Sequence, residues 1–343
     1  MSRPNWTRTR TANTAVGAVA LVAALALPFA ASPFLVFQGA MLISYVIALL
    51  GLNLLTGHSG QISLGHGAFY AAGAYTGAIF TRVIPSDWGY LVALPVAAVF
   101  CFAFGYVFGV PAQRLKGPTL ALGTLALAVA VPPLLKRFEG ITGGSVGLTV
   151  PTPEAPPFLP LAQDQWTYLL ALAVLVVSLV LSRNLQRGRL GRAFNSVRDN
   201  DIAAQAMGVR ITHYKVLAFA LAAMFGGVGG VVYTWSTGYV SPNTFGLLLS
   251  IYFIAGMILG GMGTVVGPFI GAAFIYLVPS TLGRINDAAP GVLFGIVLIV
   301  VVLVFPGGIG GLVKKGWDRV VGGRSSRRPA TRTEAVVAEP STV

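Results

Sequence analysis

The side chains of this chain that could do chemistry crowd into one stretch, "NLLTGHSGQISLGHGAFYAAGAYTGAI" from Asn53 to Ile79, which is otherwise apolar. Two histidines raise metal binding first. His58 and His66 would lie about 12 Å apart along a regular helix axis, and no carboxylate or thiol stands between them to complete a ligand set. No metal or other cofactor is expected. Catalysis fares no better, since three histidines, one cysteine and few acids in apolar runs leave no nucleophile with a nearby base. What remains is polar contact. Asn53, His58, Gln61, Ser63 and His66 are costly against lipid and should face the interior of a bundle or a water-filled path. On a helix Ser59, Ser63 and His66 share one face, with Gly60 and Gly67 cutting notches nearby. Two readings stay open: hydrogen bonds that hold close-packed helices together, or direct contact with something passing through.

The elements that must position these residues follow from composition. Of 343 residues 55% are hydrophobic and 10% charged, where a soluble domain has about 25% charged. The chain therefore belongs in a membrane, where only helices and closed barrels satisfy the backbone, and its long unbroken apolar runs select helices. The expected fold class is all-α, a polytopic bundle of about ten transmembrane helices. A span needs about 20 apolar residues, and the candidate stretches are 14–31, 34–56, 60–80, 90–110, 118–135, 166–182, 214–236, 244–262, 266–283 and 288–305. The third, rich in Gly and polar residues, would also suit a broken or re-entrant helix.

The net charge of +13 is carried at helix ends and tails rather than interleaved with stacking aromatics, so no nucleic acid is expected as partner. Its partner is instead the lipid bilayer and its anionic headgroups. Alternating sides from a cytoplasmic N-terminus gathers Arg3, Arg8, Arg10, Arg114, Lys116, Arg183, Arg187, Arg189, Arg192, Arg198, Arg210 and the run from Lys314 to Arg332 on one side. The other side receives Arg82, Lys136, Arg137 and Arg284, offset by Asp87, Glu139, Glu154, Asp164 and Asp287. The positive-inside rule then puts both termini in the cytoplasm. "PFAAS" at Pro28 to Ser32 resembles a signal-peptide cleavage site, but the apolar run before it is long, and removing it would place every basic loop outside. An uncleaved first helix is expected.

Residues 1–313 thus read as a transmembrane domain with two long connections, and 314–343 as a disordered basic cytoplasmic tail. The outer connection, 136–165, holds "PTPEAPPFLP", whose prolines forbid helix. It also holds "TGGSVGL", where Thr142, Ser145 and exposed backbone N–H groups could meet a carboxylate, receive a soluble partner, or simply turn the chain. Cys101, alone in an apolar run, is a packing residue. "LTGHSGQISLGHGAFYAAGA" and "LGGMGTVVGPFIGA" share Gly spacing, read either as two instances of tight small-residue packing or as a faint internal repeat whose hairpins could approach one another.

The cytoplasmic connection, 183–213, contains "SVRDNDIAAQAMGVR". Asp199 or Asn200 can cap a helix, Asp201 adds negative charge to its first turn, and Gly208 ends it after about two turns. A small surface at Ala203 and Ala204 would let another protein approach the backbone, with Arg198 and Arg210 placed to pair with acidic groups. A solvated loop obeying the charge rule is the plainer reading.

The pattern of Ala203, Ala204 and Gly208 resembles the coupling loop of ATP-binding-cassette importer permeases, although Ile202 stands where the broad motif has Glu and Asp201 falls one residue earlier. The segment "RDNDIAAQAMGVRITHYKVLAFALAA" is similar to the version in branched-chain amino acid permeases of the LivM type. "NLLTGHSGQISLGHGAFYAAGAY", "GPTLALGTLALA", "ITGGSVGL", "GYVSPNTFGLLLSI" and "LGGMGTVVGPFIGAAFI" resemble that family in the same order, over about Leu35 to Pro306. The resemblance implies a fold related to ribose-type and vitamin B12-type permeases and a bacterial plasma-membrane location. It further implies a second, homologous (LivH-like) permease, two ATP-binding-cassette ATPase subunits and an extracytoplasmic substrate-binding protein. On it, Arg198, Asp199, Asn200, Asp201, Ala203, Ala204 and Gly208 become the ATPase-coupling residues, and Asn53, Gln61, Ser63, His66, Thr142 and Ser145 the candidates for the translocation path. The chain has no Walker A sequence, so it is not an ATPase itself. An ion-coupled carrier usually buries a carboxylate in a span, and none of the ten stretches holds Asp or Glu. A stand-alone secondary transporter and a urea or amide permease of the same family are the rival readings.

Overall fold

A chain this apolar must satisfy its backbone groups within each segment, and it does so as helices. The structure, a computed structural model, describes residues 6–84, 89–115, 117–156, 159–282, 295–296, 299 and 308–311. The helices in order are α1 (Trp6–Ala30), α2 (Pro33–Leu52), α3 (His66–Val83), α4 (Gly89–Ala112), α5 (Pro118–Arg137), α6 (Glu139–Thr142), α7 (Gln163–Arg187), α8 (Arg189–Asp199), α9 (Asp201–Ala206), α10 (Ile211–Thr237), α11 (Leu247–Gly260) and α12 (Gly267–Leu282). Pro33 and Pro118 open α2 and α5, where a missing N–H costs nothing and φ is already helical. The tenth stretch, 288–305, lies outside the described residues but for 295–296 and 299, as do the tail 314–343, Arg3, Asp87, Lys116, Arg284 and Asp287.

Among the described residues five segments are long and apolar enough to cross a membrane: Pro33–His58, Gly89–Ala112, Pro118–Arg137, Gln163–Arg187 and Ile211–Thr237. Shorter apolar helices lie at Gly17–Ala30, Leu247–Gly260 and Gly267–Ser280. The protein is a multi-pass helical membrane protein.

The bundle is built around α10, which is buried along nearly its whole length and touches α2, α3 and α4. Its "GGVGG" run makes this possible. A methyl group on Gly227 would lie 2.3 Å from the sulfur of Cys101 in α4, and one on Gly230 would lie 2.1 Å from the Tyr70 carbonyl oxygen in α3. No larger side chain fits between three helices at once. Beside this junction an aromatic cluster joins α2, α3, α10 and α11, with Tyr45 stacked on Tyr70 at 5.9 Å and Phe253 edge-on to Tyr70 at 5.3 Å. The Ser44 and Tyr70 hydroxyls share a hydrogen bond inside it.

At one end the connections 137–163 and 237–247 meet. Leu148 and Thr149 pair antiparallel with Val240 and Tyr239 in a two-stranded clip, β1 (Leu148–Thr149) and β2 (Tyr239–Val240). The opposite end gathers the turns after α2, α4, α7 and α11.

Candidate functional site

The polar stretch lies at that opposite end, and of the continuous and broken helices that its Gly and polar content admit, it forms the broken one. α2 runs on into a π-turn, Asn53–His58, and residues 59–65 then form an irregular crossing before α3 starts at His66. The shared face of Ser59, Ser63 and His66 does not form. The cause is local and tertiary together: Gly60 takes φ +71°, and the side chains take backbone partners that a helix would leave no room for. Asn53 donates from Nδ2 to the Thr264 carbonyl at 2.9 Å and accepts the Gly263 N–H at 2.7 Å. Gln61 donates to the Ser59 hydroxyl at 2.7 Å and to the Lys215 carbonyl at 3.1 Å. Ser63 accepts the Gly65 N–H, Thr124 of α5 accepts the Leu64 N–H, and Ser250 of α11 accepts the Gly67 N–H.

His66 is buried. Its Nε2 lies 2.7 Å from the Ala48 carbonyl oxygen, its ring meets Phe253 edge-on at 5.6 Å, and among the described residues its Nδ1 has no hydrogen-bond partner. Thr142 is buried as well, donating to the Leu135 and Phe138 carbonyls at 2.5 and 2.8 Å and so closing the end of α5. Ser145 stands exposed in the same turn. Of the six path candidates, Asn53, Gln61, Ser63 and His66 sit toward one end of the bundle and Thr142 and Ser145 at the other.

The two glycine-rich segments do meet. A methyl group on Gly57 would lie 2.4 Å from the Gly263 nitrogen, so the hairpin turns after α2 and α11 touch backbone to backbone, with Asn53 bridging them.

Against this junction packs the 183–213 connection. α7 extends to Arg187, and "RLGRAFNSVRD" forms α8, a helix absent from the sequence expectation. Leu190, Ala193, Phe194 and Val197 recur at i, i+3, i+4 and i+7, the signature of one apolar stripe, and Ala193, Phe194 and Val197 are buried. α9 follows where expected. Asn200 caps it, its side-chain oxygen accepting the N–H groups of Ile202 and Ala203 at 3.0 Å each, and Gly208 leaves it at φ +83°. Its outer surface is Ile202, Ala203 and Met207, with Ile202 and Met207 more than four-fifths exposed. Ala204 corrects the expectation of a paired alanine surface: it is 2% exposed and turned inward.

Charged residues tie this connection to the bundle, and Lys215 among them was missed because it sits inside a predicted span. Lys215 Nζ lies 2.6 Å from Asp201 Oδ2, Arg198 Nη1 donates to the Gly57 carbonyl at 2.8 Å, and Arg198 Nε donates to Asp199 at 2.9 Å. Between them opens a hollow of about 380 Å³ lined by Gln61, Gln113, Arg198, Asp199, Asp201 and Lys215 among others. At the other end a hollow of about 540 Å³ is lined by residues 136–141, including Lys136, Arg137 and Glu139. Among the described residues no cluster of His, Cys, Asp and Glu could hold a metal.

A family profile described as "Branched-chain amino acid transport system / permease component" matches residues 34–302. The high-affinity branched-chain amino acid transport system permease protein LivM of Salmonella typhimurium is 32% identical over 305 residues, 82% of this chain and 71% of that protein. LivM of Escherichia coli is similar to the same extent. The autoinducer 2 import system permease protein LsrC of Salmonella choleraesuis is 32% identical over 205 residues, 55% of this chain and 56% of that protein. No solved structure matches.

Proposed function

The chain belongs to the family of branched-chain amino acid transport permeases, and from that premise we propose that it is the membrane subunit of an ATP-driven importer for branched-chain or related amino acids. It is a transport subunit and not an enzyme. Two ATP-binding-cassette subunits bind the end that carries α8 and α9, a second, LivH-like permease completes the path, and a soluble binding protein delivers cargo at the end that carries Ser145 and Lys136 to Ile141.

The observation that carries the reading is α9 itself. A capped helix presents Ile202, Ala203 and Met207 to the outside, and an apolar exposed surface at a basic helix end fits a protein partner better than water. Arg114, Arg183, Arg187, Arg189, Arg192, Arg198 and Arg210 belong to this end, which the positive-inside rule assigns to the cytoplasm. Residues 1–313 then form the membrane domain, both termini are cytoplasmic, and 314–343 is a basic tail. Arg198, Asp199, Asn200, Asp201, Ala203 and Gly208 present or shape the coupling surface, and Ala204 anchors it.

Cargo passes Ser145 at the outer turn and Gln61 at the inner hollow, while Asn53, Ser63, His66 and Thr142 hold the walls. An ion-driven carrier fits less well, because the only acid in the five spanning segments is Asp164, in the first turn of α7.

The test is purification of the tagged chain in mild detergent, followed by reconstitution. A second permease and an ATPase subunit should co-purify, and leucine uptake should require ATP. Gly208→Pro should abolish uptake while the chain still inserts, because proline locks φ near −65° where Gly208 has +83°. A chain that arrives alone and moves amino acids on an ion gradient would overturn the reading.

A further inference from the structure

An unbroken line of short contacts leads from α8 to the turn between α11 and α12. It begins at Arg198, whose Nη1 binds the Gly57 carbonyl at 2.8 Å across 141 residues of sequence. The last carbonyls of a helix lack intrahelical partners, so the guanidinium closes the end of the π-turn and is held there by Asp199 and by contact with Gly60. One π-turn earlier stands Asn53, which grips both Gly263 and Thr264. This π-turn ends α2 rather than interrupting it, and π geometry recurs at functional sites.

A second observation points the same way. Buried polar atoms are nearly always hydrogen-bonded, yet His58 Nε2 in the π-turn and Asp201 Oδ1 at the start of α9 are buried with no partner among the described residues. Both lie at the junction that Arg198 bridges. Polar atoms with free hydrogen-bonding capacity on both sides of Arg198 give the junction groups that a shifted arrangement could engage.

We propose that Arg198 and Asn53 are positioning residues in series, passing displacement of α8 and α9 through the π-turn to the turn that joins α11 and α12. The inference rests on the ATP-driven reading above and adds a route to it: α2 slides its π-turn, and the α11–α12 hairpin follows because Asn53 holds its backbone. Coupling of this kind needs an element with two discrete arrangements, and in this relay the π-turn takes that role.

The experiment uses the whole transporter in liposomes. Uptake per ATP hydrolysed should fall about tenfold in Asn53→Ala and in Arg198→Ala, within the usual range of coupling between sites. The double variant should fall no further, because links in series are not additive, and Arg198→Lys, which keeps the charge and a donor nitrogen, should recover part of the loss. Wild-type ratios in both single variants, or losses that multiply in the double, overturn the relay alone. A wild-type complex with no ATP-driven uptake sinks the importer reading and the relay with it. A distance measurement needs no weakened variant: spin labels at Val99→Cys and Met262→Cys in a Cys101→Ala background should report different separations with and without trapped nucleotide. An unchanged separation also overturns the relay.

Discussion

Gly73 of α3 and Gly227 of α10 meet backbone to backbone: a methyl group on Gly73 would lie 2.1 Å from the Gly227 carbonyl oxygen and 2.3 Å from its Cα. Neither atom is the free end of a side chain, so a helix must move to admit it. Gly73→Ala should destabilise the folded chain by about 3 kcal/mol, the upper end of what overpacking costs. Gly17→Ala, with nothing within 4 Å of the added methyl, should leave the melting temperature in detergent where it is. Equal melting temperatures for the two variants would remove α3–α10 contact as the basis of the fold.

Cys101 reports on the same junction. It is the only cysteine, it is fully buried, and its sulfur lies 3.7 Å from the Phe69 carbonyl oxygen. A dye that fluoresces on reacting with thiols should therefore stay dark on the folded protein and light up in one transition on heating. That transition should move to lower temperature in Gly73→Ala. Rapid labelling at room temperature would mean that α4 does not close over α3 and α10 as described.

The two alanines of α9 differ in what they face, and substitution separates them. Ala203→Arg adds a long charge to an exposed surface, so the chain should insert and melt as wild type while ATP-driven uptake is lost. Ala204→Arg forces the charge into a site 2% exposed, and burying an unpaired charge is among the few changes that cost more than about 4 kcal/mol. It should abolish folding or yield. If Ala203→Arg transports normally, α9 is not where the ATPase docks.

How much of this was legible in the sequence differs element by element. The five long spans follow from unbroken apolar length, and α9 from a cap at Asn200 and a stop at Gly208, both local signals. α8 was legible too, in the spacing of Leu190, Ala193, Phe194 and Val197, a stripe that the arginines between them mask. The crossing at 59–65 is different in kind. Its Gly and polar content admits a broken helix, but the partners that fix the break, Gly263 and Thr264 held by Asn53 some 210 residues away, are carried by no periodicity within the stretch. The matching glycine spacing of the two turns was a hint of their contact, and the contact of Gly57 with Gly263 bears it out.

Thr142 and Ser145 sit three residues apart in "TGGSVGL" and should separate stability from delivery. The Thr142 hydroxyl donates to two carbonyls at the end of α5 and accepts the Gly144 N–H, so Thr142→Val leaves these backbone groups without their buried partner. Each such loss costs about 1–3 kcal/mol, and the variant should melt lower while the fraction that remains folded still accepts cargo. Ser145 is exposed and the neighbouring backbone is fixed by the clip between Leu148 and Val240. Ser145→Arg should therefore leave the melting temperature alone and instead raise the concentration of binding protein needed for half-maximal uptake. A Ser145→Arg transporter with an unchanged requirement for binding protein would move the delivery surface away from this turn, to the hollow beside Arg137 and Glu139.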